Sequence, residues 1–384
     1  MKKSLAIALA VFALAACQKN AGNQVVEEGF DNEAVPVLFG SNVAALKTTK
    51  SAGALNAWSG QENLYIIGVE KNADGEADFA NLFIPNVAAV SPAANGEAIE
   101  VKNADGKYFY YGDGNNQTYD FYGYYVDDAL ADPTAAAPVL NVGADNISVS
   151  VKINGRQDLL VGIPDKQADC DAGKKDNSGN NLVPVERAYS AFAARRAVNP
   201  NLIFNHKLSQ FKFTILSGNA GVASNVKLAG IAVESFTTAD MTVAGNGVDE
   251  GLKNLANAEF LPLYIGAEEL TINNKIDCPA WDESTGTSAA SELGALMLIP
   301  GQEVYKMKLK LFQDGATDAA GNDRELDIDF SSIVGGTGNN FAEPGYIYNI
   351  TIVVYGYEKA EIKVTLQAWD DNGGNILIDT DATA

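Results

Sequence analysis

Phe211-Lys212-Phe213-Thr214-Ile215 sets every second side chain on one apolar face. The same period of two returns in Lys306-Met307-Lys308-Leu309-Lys310-Leu311, with three lysines on one side and Met307, Leu309 and Leu311 on the other, and again in Ile362-Lys363-Val364-Thr365-Leu366-Gln367-Ala368. Successive side chains of a strand point to opposite faces, so such runs describe half-buried strands of sheets with one wet face. That favours antiparallel sandwiches over the doubly covered parallel sheets of α/β proteins. Turn residues punctuate the runs. Ala104-Asp105-Gly106-Lys107 separates Ile99-Glu100-Val101 from Tyr108-Phe109-Tyr110, and Ala73-Asp74-Gly75 follows the run 64–69. Asp-Gly tolerates the positive φ of tight hairpins, so both are hairpin candidates.

Two stretches read as helix. Residues 184–194 carry Pro184 and Glu186 at the start and end at Arg195-Arg196, which suits the helix dipole; 288–296 is the second. Ala197-Val198-Asn199-Pro200-Asn201 is rich in breakers and is taken as the domain boundary. The expectation is an all-β protein of two antiparallel β-sandwich domains in series, 51–196 and 200–384, with little helix.

Working outward to the N-terminus, Lys2 and Lys3 form a charged region, 5–14 an apolar one, and Leu14-Ala15-Ala16-Cys17 a lipoprotein cleavage box. This predicts a signal peptide over 1–16 and a lipid on Cys17; an ordinary secretory signal that happens to contain a cysteine is the alternative. The apolar region is shorter than the roughly 20 residues a spanning helix needs, so the chain is expected to be anchored to a membrane without crossing it. Residues 17–50 form a leader with a short apolar segment, 35–46, ending at Lys50. Asp and Glu number 49 against 27 Lys and Arg, a formal charge of −22 that falls by two more when Lys2 and Lys3 leave. Nucleic acid and anionic membrane surfaces would repel such a chain. The 47% apolar content is ample for real cores. Cys170 and Cys278 lie in loop-like stretches of different halves, and export permits either a bridge or two separate buried thiols.

No catalytic, cofactor or metal site is indicated. His206, the only histidine, has no cysteine nucleophile near it in sequence and no second histidine, which leaves a structural role. The acids of 314–318 and 323–329 cluster in turn-like loops, where solvation explains them. Asn72-Ala73-Asp74-Gly75-Glu76 and Asp113-Gly114-Asn115 are fragments of calcium loops without the full ligand set and are read as turns. Gly335-Gly336-Thr337-Gly338 lacks the following Lys-Ser/Thr of a phosphate cradle. Tyr108, Tyr110, Tyr111, Tyr119, Phe121, Tyr122, Tyr124 and Tyr125 crowd two strands. Such rows serve either as core and cross-strand pairs or as an exposed platform for sugar rings.

Taken together, Tyr119-Asp120-Phe121-Tyr122-Gly123-Tyr124-Tyr125, Asp158-Leu159-Leu160-Val161-Gly162, Phe204-Asn205-His206-Lys207-Leu208-Ser209-Gln210-Phe211-Lys212-Phe213 and Pro344-Gly345-Tyr346-Ile347-Tyr348-Asn349-Ile350, leading to Trp369, resemble the fimbrillin family, the structural subunits of type V pili. The resemblance implies two transthyretin-like sandwiches and export as a lipoprotein to the outer membrane. It also implies proteolytic removal of the leader with its first strand, and polymerisation as a neighbour's strand fills the vacated groove. Loss of a strand exposes unpaired backbone groups and an apolar groove, both of which favour strand addition. Family members are typically cut after an arginine in the loop following the first strand; here Lys50 in Thr48-Thr49-Lys50-Ser51 holds that place and no arginine precedes Arg156. The expected role is a structural or accessory fimbrial subunit supporting adhesion, with other subunits, the outer membrane and a host protein or glycan as partners. A monomeric glycan-binding surface lipoprotein is the alternative. Ile376, Leu377 and Ile378, in the tail after Trp369, are the candidate donor strand.

Overall fold

The alternating segments become strands throughout the computed structural model, which describes residues 34–43, 58–72, 74–94, 97–112, 117–126, 138–313, 315, 322–330, 341–357 and 359–366. The strands begin with β1 (Phe39–Val43), β2 (Asn63–Lys71), β3 (Ala77–Val90), β4 (Ala98–Ile99), β5 (Tyr119–Val126), β6 (Leu140–Val142), β7 (Asn146–Lys152) and β8 (Leu159–Pro164). Helices α1 (Lys166–Ala172) and α2 (Ala191–Ala194) precede β9 (Asn201–His206) and β10 (Ser209–Ser217), and α3 (Ala220–Asn225) precedes β11 (Val226–Gly245) and β12 (Lys253–Pro262). Five two-residue strands follow: β13 (Tyr264–Ile265), β14 (Glu268–Glu269), β15 (Ile276–Asp277), β16 (Trp281–Asp282) and β17 (Thr287–Ser288). Then come β18 (Ser291–Leu298), β19 (Val304–Gln313), β20 (Asn322–Asp329), β21 (Ile347–Gly356) and β22 (Lys359–Leu366).

The first sheet runs β3-β2-β5-β8-β9-β1-β4, the second β18-β10-β21-β22, and the third β20-β19-β11-β7-β6 with β12 and β15 added to β11. The fold is all-β and built of sandwiches, as expected, with one departure from the antiparallel reading. β1 runs parallel to β9 and β10 parallel to β21. The breaker-rich passage at 197–201 does not divide the sheets. β9, beyond it, continues the first sheet beside β8, while β6 and β7, before it, join the third beside β11. β11 is the strand common to both halves: Val226–Val233 pairs β19 and Thr238–Gly245 pairs β7. β12 pairs β11 across the join, from Ala232 to Asp240, and so occupies its opposite edge.

Four sequence motifs form one seam. β5 pairs β8 (Gly123↔Gly162) and β8 pairs β9 (Leu160↔His206). After Lys207 the chain enters the second sheet as β10, which pairs β21 (Phe211↔Tyr348). The crossing is fixed by buried polar groups. His206 Nδ1 lies 2.8 Å from Asp158 Oδ2, and Lys207 Nζ donates to the carbonyls of Val248 (2.7 Å) and Glu250 (3.1 Å).

In the second sheet Phe211, Phe213 and Ile215 are buried, with Lys212 and Thr214 half-exposed between them; opposite, Tyr305, Met307, Leu309 and Leu311 of β19 alternate with lysines. The layers meet through Phe211, whose ring centroid lies 4.8 Å from Tyr305, 5.4 Å from Phe330 and 5.7 Å from Tyr348. The first sheet is covered on both faces. Tyr65, Ile67 and Tyr124 pack with Ile147, Val149, Met241 and Val243 of the third sheet. Leu64, Ile66, Phe121 and Phe204 pack on the other side with Trp58, Tyr111 and Tyr189. Gly123 and Gly162, cross-strand partners, form a slot for the Phe204 ring: a Cβ on Gly123 would stand 2.7 Å from it. A glycine mid-strand weakens the ladder, and here the aromatic side chain fills the space it leaves.

The helical expectations are corrected. Residues 184–194 hold a short 3-10 turn at Val185–Arg187 and a four-residue α2, broken by Tyr189 at φ 56°. The stretch 288–296 is β18 for most of its length, because Leu296 and its neighbours complete the sheet beside β10. α1 was not foreseen; Asp165 caps it by accepting from the Ala168 amide at 3.0 Å.

Candidate functional site

Residues 35–43 lie across the first sheet as one extended segment. Val37 donates to the carbonyl of Phe109 (2.8 Å) and Val35 accepts from the amide of Tyr111 (2.9 Å). Phe39 and Gly40 then pair β4, and Gly40 to Val43 pair Asn201 to Phe204 of β9. The side chains alternate: Val37, Phe39 and Ser41 point inward and are buried, and Leu38 between them is exposed. Phe39 meets Phe121 edge to face at 5.1 Å. The segment expected at 35–46 is thus a strand inserted between β9 and β4 as far as Val43.

Its hold is modest. Burial of Val37 and Phe39 contributes about 1.5–3 kcal/mol each. Against that, the Ser41 hydroxyl is buried without a hydrogen-bond partner among the described residues, which costs roughly 1–3 kcal/mol. The groove is better fixed than its occupant. Asp169 on α1 accepts from the Tyr189 hydroxyl (2.6 Å) and the Asn201 amide (3.0 Å), and so holds the first residue of β9. Burial pushes the Asp169 carboxyl above its usual value. At Gly40 a Cβ would lie 2.8 Å from Asn201 Oδ1, so the strand fits there only as glycine without rearrangement.

Cys17, Lys50, Ile376, Leu377 and Ile378 lie outside the described residues, as does the 335–338 loop. β22 is the last described strand and pairs only β21 among the described strands. Cys170 and Cys278 are both buried and unbridged.

The tyrosine-rich strands are core. Tyr111, Tyr119, Phe121, Tyr124 and Tyr125 are buried, while Tyr110 is exposed. The sugar platform expected as an alternative on β5 is therefore absent: both faces of that strand are covered. The calcium-loop fragment at 72–76 is a turn, in which Asn72 Oδ1 accepts from the amides of Asp74 and Glu76. Asn103 repeats this at 103–107, giving both expected hairpins the same closure. Among the described residues no group of three or more His, Cys, Asp or Glu is placed to hold a metal.

Sequence reading missed a cavity of about 600 Å³ beside the middle of β11, lined by Lys152, Asn154, Arg156, Thr237, Asn257, Glu259 and Tyr264 among others. Its residues come from segments some hundred positions apart, so no motif announces it.

No protein-family model matches the chain, and no curated protein does. Among solved structures, it is similar to a fimbrial protein from Bacteroides vulgatus (12% identity, 87% of this chain and 99% of that one, TM-score 0.47). It is similar to a candidate cell adhesion protein from Bacteroides uniformis (15%, 88% and 100%, 0.46). It is also similar to the fimbrial anchor protein Mfa2 from Porphyromonas gingivalis (8%, 90% and 98%, 0.38).

Proposed function

We propose that the chain is a structural or accessory subunit of cell-surface fimbriae, carried to the outer membrane by a lipid on Cys17 and assembled by strand addition in support of adhesion. The observation that carries this reading is β1. It is short, lies in the leader, and fills a groove whose walls are fixed by other elements. Cleavage after Lys50 would leave β1 held without a covalent link, by its ladders with β9 and β4 and by the bonds of Val35 and Val37 to Tyr111 and Phe109. Its departure would free the β9 edge from Asn201 to Phe204 and uncover the apolar floor at Phe121. An incoming strand would run parallel to β9 and place apolar residues where Val37 and Phe39 stand, and the Ile376-Leu377-Ile378 run is the donor proposed for a neighbour's groove.

Outer-membrane material run on a detergent gel without boiling tests this. A ladder that collapses on boiling is expected, and Lys50→Ala should reduce it to the monomer band. A single band from the unaltered chain would overturn the fimbrial reading, and an unchanged ladder in Lys50→Ala would overturn processing at that residue.

A further inference from the structure

The cavity beside β11 carries charged side chains that have no ion-pair or side-chain hydrogen-bond partner among the described residues. Arg156 stacks its guanidinium on the Tyr264 ring, with the central carbon 4.3 Å from the ring centroid, and makes no ion pair or side-chain hydrogen bond among the described residues. The side chains of Lys152 and Glu259, on the same wall, are likewise unpaired. The chain has 49 acidic against 27 basic residues, yet neither cation on this wall has an acidic partner among the described residues.

The frame is rigid. Ile153 donates to the Thr237 carbonyl (2.8 Å), Met297 to that of Gly155 (2.8 Å), and the Gln157 amide side chain spans the loop between Lys152 and Asn154. Asn154 Oδ1 accepts the Arg156 amide at 2.9 Å, which sets the direction in which the arginine leaves the backbone. A preformed polar site loses less on binding than one that must be ordered.

A ligand for this cavity has to offer an anion to a planar fork that favours carboxylates. It also has to offer hydroxyl donors to Glu259, exchange hydrogen bonds with Asn257, and lay a C–H face on the buried Ile153 and Leu261. A pyranose bearing a carboxylate has all four features on one ring. A peptide C-terminus supplies the anion but no constant hydroxyl donor for Glu259. We infer that this cavity is a binding site for an acidic saccharide of the uronate class, with Arg156 as the carboxylate clamp. The inference does not depend on polymerisation, since a monomer carries the whole cavity.

Calorimetric titration of the full chain tests it, with tri-galacturonate, tri-mannuronate and a hyaluronan tetrasaccharide as acidic probes, galactotriose as the neutral one, and a tripeptide with a free C-terminus. At least one uronate should bind, with galactotriose weaker by about tenfold or more, since a clamp left without its anion is penalised. Arg156→Ala should lose about tenfold or more, and Arg156→Lys, which keeps charge and stem but not the fork, should fall between. Lys306→Ala, on an exposed lysine of β19 outside the cavity lining, should bind as the unaltered chain does. Failure of all three uronates to bind, equal affinity for galactotriose, tighter binding of the tripeptide, or full uronate affinity in Arg156→Lys would each overturn the assignment.

Discussion

Among the described strands two pairs run parallel, and they are packed differently. β10 and β21 share eight register positions, from Gln210↔Ile347 to Ser217↔Val354, and are flanked on both sides by full strands, β18 and β22. β1 and β9 share four, from Gly40↔Asn201 to Val43↔Phe204, and β1 has only the two-residue β4 beyond it. The first pair carries a cluster of four aromatic rings around Phe211; the second carries Phe39 on Phe121 and a buried hydroxyl without a partner. The same backbone geometry thus serves a densely packed core in one place and a lightly held strand in the other. What differs is how many side chains would be orphaned if the strand left.

Phe211→Ala is the strongest test of that contrast. A fully buried phenylalanine touching three rings should cost about 3–5 kcal/mol, read as a shift in the urea midpoint. Phe39→Ala removes an equally buried ring, yet its cost is capped by the free energy of detaching β1, so about 1–3 kcal/mol is expected. Hydrogen exchange should then show early loss of protection at Gly40–Val43 while the amides of β10 stay protected. Equal costs for the two variants would break the comparison. Ser41→Ala sharpens it further: deleting an unpartnered hydroxyl should leave stability unchanged or raise it by up to about 1 kcal/mol. A clear loss would mean that the hydroxyl is satisfied in solution.

The smallest effect concerns the thiols, one in each region. Burial pushes Cys278 up from 9.0 to about 12, and Cys170 also upward. An acid whose folded value is raised stays protonated after the unfolded chain has ionised. Cys278 therefore leaves stability untouched below about pH 9 and lowers it between about 9 and about 12. Cys278→Ala should flatten that alkaline slope and change nothing attributable to ionisation at pH 7. In native alkylation at pH 8, Cys170 should react before Cys278 if the region around β9 opens first; the reverse order would contradict the contrast drawn above.

Most strands were legible because alternation is a local property, and β10 and β19 bury the residues that their period of two assigns. The helix misreadings have physical causes. Ser291–Leu298 holds three leucines with Glu292, Ala295 and Met297, all good helix formers, but the β10 edge supplies a ladder that outweighs propensity. In 184–194 the left-handed Tyr189 interrupts a good helical composition so that its hydroxyl can reach Asp169. The two parallel pairs and the shared β11 were not legible, since register between distant segments is written in no single stretch. The His206–Asp158 pair and the Arg156 cavity escaped for the same reason: each joins groups that are neighbours only after folding.

The 20-residue length of β11 has a mechanical consequence. At about 3.3 Å per residue the strand is a beam of roughly 66 Å. β7 and β19 abut along one of its edges, and β12 is laid across the splice on the other. Tension entering through β7 and leaving through β19 would load these ladders in shear, so several hydrogen bonds must fail together before the halves part. Such a lap joint resists pulling along its length far better than a hairpin that can be peeled open one rung at a time.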